Sequence, residues 1–158
     1  MSLLDIFLGT PWWVFAIFVY LLIVGIKSLQ SQEISLTRLI ITPTIFIIWS
    51  LYSFSAKYGF TAPIIVLWFI ALNVGILIGK NFFAYTVRRK DAHTVYLHGS
   101  WIPLILFMSF FLMKYCIGFT YAIQPAASLN PLFWVSDVVA SGIISGIFVG
   151  RVFSLAKK

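Results

Sequence analysis

The stretch Trp101–Ile123 reads WIPLILFMSFFLMKYCIGFTYAI, and its only charged residue is Lys114. A hydrocarbon core about 30 Å thick needs roughly 20 mostly apolar residues per helix, so this run is long enough to cross a membrane. Four more runs of the same kind fill most of the chain: Pro11–Leu29, Ile34–Ser55, Phe60–Gly79 and Leu132–Leu155. They are apolar all round, whereas barrel strands alternate apolar and polar residues over about ten positions. A mean hydropathy of +1.03 over 158 residues leaves too little polar sequence for a separate soluble domain. The expectation is an all-α integral membrane protein. Residues 1–158 form one transmembrane domain, with helices near 11–29, 34–55, 60–79, 101–123 and 132–155.

The net charge of +7 would suit nucleic acid, but its placement excludes that partner. Nine of the eleven basic residues lie in or beside alternate gaps between the runs or at the end of the chain, and so share one side if all five runs span. Lys27 and Arg38 flank the first gap, Lys80, Arg88, Arg89 and Lys90 sit in the third, and Arg151, Lys157 and Lys158 close the chain. The second gap has only Lys57, and the fourth has none. The positive-inside rule makes the basic side cytoplasmic, which puts the N-terminus outside and the C-terminus inside. The segment before Pro11 carries Asp5 and no basic residue, which suits translocation. It lacks the basic n-region of a cleaved signal, so the first run is expected to stay as a helix. The single cysteine, Cys116, excludes an internal disulfide.

Several residues read as membrane furniture. Thr10 suits an N-cap and Pro11 a first turn. Trp12, Trp13 and Trp101 suit the headgroup region, and Arg38 can snorkel to it. Pro43 is expected to kink the second helix or mark its true start. Ala71, Gly75 and Gly79 recur every four residues in the third run, as do Gly142, Gly146 and Gly150 in the fifth. Such spacing lets helix backbones approach closely, and packing within one chain is favoured over dimerisation. Between runs three and four, Phe83, Tyr85 and Val87 alternate, residues 88–92 turn, and Val95 and Leu97 alternate again. That pattern predicts a short cytoplasmic β-hairpin over about 83–98. If residues 87 and 95 pair, Tyr85, Val87, Val95 and Leu97 share one face. The other reading is a cytoplasmic extension of the third helix.

The costly residues are few. A lysine at the centre of a spanning helix costs roughly 3 kcal/mol on insertion scales, and Lys114 lies well inside the fourth run. Asp137 lies about 9 Å below the start of the fifth helix, and Lys114 about 10–15 Å below the end of the antiparallel fourth. A lysine reaching outward spans the difference, so the two are expected to pair in the outer half of the membrane. Two roles stand open: a pin that neutralises both charges and fixes helix register, or a site for an ion, proton or anionic solute. Asn73 in the third run is expected to bond to another helix and to join this polar site.

The missing residues exclude more. No histidine lies in a run, so bis-histidine haem in the membrane is ruled out. His93, His98 and Asp91 match no standard zinc spacing. Ser136, Ser141 and Ser145 lack an evident activating base, and a total of only four acidic residues argues against paired-carboxylate chemistry. No cofactor, metal or catalytic residue is expected.

Two stretches carry a family likeness. One is Thr10-Pro11-Trp12-Trp13-Val14-Phe15, with Arg38 and Pro43 in the next run. The other is Arg89-Lys90-Asp91, then Gly99-Ser100-Trp101-Ile102-Pro103-Leu104, then Lys114-Tyr115 and Gly118. Together they resemble a family of small bacterial integral membrane proteins of uncharacterised function. The resemblance implies a multi-pass protein of the bacterial cytoplasmic (inner) membrane and supplies no activity. The function expected is therefore a non-enzymatic structural or accessory membrane component. Its partners are the lipid bilayer and either a second copy or another membrane protein. The alternatives are a small-solute or ion transporter using Lys114 and Asp137, and a membrane-embedded enzyme.

Overall fold

A computed structural model describes residues 12–84, 86–124, 126 and 129–157. Its elements run α1 (Trp12–Lys27), β1 (Gln32–Ser35), α2 (Leu36–Tyr58), α3 (Ala62–Phe82), β2 (Val87–Arg89), β3 (Thr94–Leu97), α4 (Ile102–Ile123) and α5 (Pro131–Phe153), closing on a 3₁₀ turn, Ser154–Lys157. The helices α2 to α5 are each long and apolar enough to cross a membrane, and the fold is that of a helical membrane protein. α1 is apolar too, but at 16 residues it covers only about 24 Å. The Thr10-Pro11 start expected for it, the Trp13 side chain and Tyr85 lie outside what is described.

Helix ends follow from local chemistry. The Ser35 hydroxyl accepts from the Arg38 N–H at 3.3 Å and opens α2. Asn130 does the same for α5 through Leu132 N–H at 3.0 Å, with Pro131 in the first turn. α2 stops at Gly59, whose φ of 76° is available to glycine at low cost. Pro43 does not mark the start of α2, which begins at Leu36 and runs through it. The proline sits in the second turn. There the Thr42 and Thr44 hydroxyls donate to the carbonyls of Arg38 and Ile40, at 3.3 and 2.9 Å.

The centre of the bundle is α3 against α5, and the two small-residue stripes meet each other there. A Cβ added to Gly75 would strike the Ile143 carbonyl and lie 2.9 Å from Gly146 Cα. One added to Gly142 would lie 2.7 Å from Ala71 Cβ and 2.8 Å from the Trp68 carbonyl oxygen. Gly79 faces the Ile147 backbone, and Gly150 that of Ile76 and Lys80. The glycines thus serve packing within the chain. α2 lies along α5, α1 lies along α4, and α4 touches α5 more sparingly.

The expected hairpin is present but belongs to a three-stranded antiparallel sheet of order β1-β3-β2. The expected helical bundle with a hairpin therefore gains a third strand, β1, from the first gap. Val87 pairs with Leu97 and Arg89 with Val95, two residues away from the expected register. The turn is centred later, closed by Lys90 and Asp91 N–H groups on the Thr94 carbonyl at 3.0 and 3.2 Å. An even shift preserves the faces, so Val87, Val95 and Leu97 still point together. They are buried with Leu39, Phe83 and Ile147 under the helix ends. β1 comes from the first gap and β3 from the third, and the 3₁₀ turn contacts β2. The two basic gaps and the turn that ends the described chain therefore meet at one end of the bundle.

Trp68 Nε1 on α3 donates to Ser50 Oγ on α2 at 2.9 Å, with both residues buried. It is a cross-helix bond of the kind expected of Asn73, made by other residues. Ser50→Ala is expected to cost about 1–3 kcal/mol by stranding the indole donor. Thermal unfolding in detergent checks this, and an unchanged midpoint would mean that Trp68 finds another acceptor.

Candidate functional site

Three helices bring charge to one point at the end of the bundle opposite the sheet. α5 enters from its Asn130 cap, and Asp137 faces inward about 9 Å along, with no exposed surface. Lys114 on α4 donates to Asp137 Oδ1 at 2.6 Å. Lys57, in the last turn of α2, places its Nζ 3.6 Å from Asp137 Oδ2, an ion pair without hydrogen-bond distance. Tyr58 Oη donates to the same Oδ2 at 3.2 Å. Ser141, one turn after Asp137, lies with its Oγ 2.5 Å from the Asp137 carbonyl and 3.3 Å from Oδ1. Lys114 Nζ also stands 5.9 Å from the centre of the Phe110 ring, a favourable cation–π distance.

The expected pair is thus the core of a larger cluster. Two ammonium groups face one carboxylate, and both carboxylate oxygens are engaged by side chains. A charge buried among satisfied partners is tolerated, whereas an unpaired one is not. Asn73 does not join the cluster. It is exposed on α3 and donates to the Phe69 carbonyl of its own helix at 2.8 Å, which satisfies the amide without a second helix. Of the expected anchors, Trp12 and Trp101 are largely exposed, as is Arg38.

Beside the cluster runs a long groove of about 970 Å³ between α2 on one side and α1 with α4 on the other. Lys57 and Lys114 line its far end, and Lys27, Arg38 and Arg151 line the end next to the sheet. Its walls between are mostly apolar, with Phe46, Trp49 and Phe107 among them.

A family model for a family of unknown function, DUF6622, matches residues 1–158. The chain belongs to that family. No curated protein and no solved structure matches it. DUF6622 membership agrees with the uncharacterised family that the Trp12 and Trp101 stretches resemble, and it assigns no activity. The role of the Asp137 cluster therefore rests on its geometry.

Lys57 and Tyr58 were not anticipated as partners of Asp137. The signal available was position. Both lie just after the second run, at the same membrane end from which the fifth run enters, so their side chains start at a depth close to that of Asp137.

Proposed function

We propose that this DUF6622 protein is a non-enzymatic structural or accessory component of the bacterial inner membrane. It has five spanning helices, with the N-terminus outside and the C-terminus inside. The Asp137 cluster acts as a pin that holds α2, α4 and α5 in register. The observation that carries this reading is the enclosure of Asp137, whose two oxygens are taken by Lys114, Ser141, Tyr58 and Lys57. A transported cation or proton needs a carboxylate oxygen that is free to receive it, and a general base needs one facing a substrate. The orientation is supported by the meeting of the basic gaps at the sheet end, since it makes their summed charge a property of one side.

The second reading, a small-solute or ion transporter, is favoured by the groove reaching Lys57 and Lys114. Reconstitution separates the two. Proteoliposomes carrying the protein are expected to leak protons and chloride no faster than empty liposomes, and capture from native membranes in mild detergent is expected to bring down a membrane protein in fixed ratio. Flux above that of empty liposomes, lost in Asp137→Asn, would overturn the pin in favour of transport.

A further inference from the structure

The sheet end of the groove is short of negative charge. Lys27, Arg38 and Arg151 all line it, and none of the three makes an ion pair among the described residues. The nearby carboxylate of Glu33 is already engaged, 2.6 Å from Lys90. Arg151 is the most demanding of the three. Its Nε is buried without a hydrogen-bond partner, and its guanidinium rests 5.1 Å from the centre of the Phe83 ring. A buried guanidinium donor left unpaired is costly, and its planar fork matches phosphate oxygens.

Depth narrows the chemistry of the missing anion. Lys27 ends α1, Arg38 opens α2 and Arg151 closes α5. All three therefore sit at helix ends, at the level of lipid headgroups. Below them the groove is walled by Leu21, Ile41, Ile45, Phe46 and Phe107. Ile41 and Ile45 are half exposed, so the groove opens sideways to lipid. A soluble anion would satisfy the cations and leave this wall bare. At the far end, Lys57 and Lys114 already share Asp137.

We propose that the groove holds an anionic phospholipid, with its phosphate at Lys27, Arg38 and Arg151 and an acyl chain along the wall of Phe46 and Phe107. Basic pockets between membrane helices select anionic headgroups in this way. The volume of about 970 Å³ is at the upper end for ligand pockets, as an acyl chain requires. The inference rests on the membrane-embedded reading.

The test uses the full chain, purified in mild detergent and stripped of lipid. It is offered phosphatidylglycerol or phosphatidylcholine, and retained lipid is read by native mass spectrometry. Wild type is expected to keep phosphatidylglycerol by about ten-fold or more over phosphatidylcholine. Inorganic phosphate is expected to leave that preference intact. The double variant Lys27→Gln/Arg38→Gln changes only exposed side chains and is expected to lose most of the preference while folding normally. Arg151→Gln should do the same, and Lys57→Gln should retain it. Equal retention of the two lipids, full displacement by inorganic phosphate, or loss of preference in Lys57→Gln alone would each overturn the proposal. A chain that resists carbonate extraction from membranes yet shows no lipid preference overturns this inference and leaves the membrane reading standing.

Discussion

Replacing Gly146 with leucine is expected to prevent the chain from folding. In soluble cores, an added side chain costs about 1–3 kcal/mol because neighbouring side chains give way. At Gly146 the obstacles are backbone. A Cβ would strike the Leu72 carbonyl and lie 2.9 Å from both Gly75 Cα and Ile76 N. The α3–α5 contact would have to open along its length, and the cost then approaches the whole stability of a small domain, about 5–15 kcal/mol. Membrane helices associate by close packing and not by exclusion of water, so no compensating apolar burial is available. A fluorescent fusion of Gly146→Leu is expected to lose its monodisperse peak on size exclusion. Gly118→Leu is the control, because a Cβ there meets nothing within 4 Å. A well-behaved Gly146→Leu protein would contradict the packing described.

The second large effect lies at Asp137. Asp137→Leu leaves two largely enclosed lysines, Lys114 and Lys57, without their shared counter-charge. Breaking a buried pair from one side costs about 3–5 kcal/mol. Lys114→Met should cost less, because Asp137 keeps Tyr58 at 3.2 Å and Lys57 at 3.6 Å. This order follows from two ammonium groups sharing one carboxylate. Unfolding midpoints in detergent should therefore fall further for Asp137→Leu than for Lys114→Met. The opposite order would mean that Lys57 carries no part of the balance.

Much of this was legible because lipid is an unforgiving solvent. The runs that became α2 to α5 had to be long and apolar, and their ends fell within a few residues of the expected positions. The glycine stripes were legible because backbone approach demands small residues at fixed spacing. Lys114 and Asp137 could be matched by depth alone, since two antiparallel helices leave few ways to neutralise them. What was not legible depends on lateral placement. β1 has only four residues, QEIS, too short for alternation to stand out. Its pairing with β3 joins residues some 60 positions apart. The groove arises from how α2 stands off from α1 and α4, which no local pattern encodes. Asn73 was misread because a polar residue in a membrane helix can satisfy itself on its own backbone.

The central claim is that Lys114 and Asp137 form a structural unit, and a double-mutant cycle tests it most directly. Unfolding free energies are measured in detergent for wild type, Lys114→Met, Asp137→Leu and the double variant. The account predicts a double variant more stable than Asp137→Leu alone, with a coupling energy of about 1–3 kcal/mol. Strictly additive losses, with no coupling between the two positions, would contradict it.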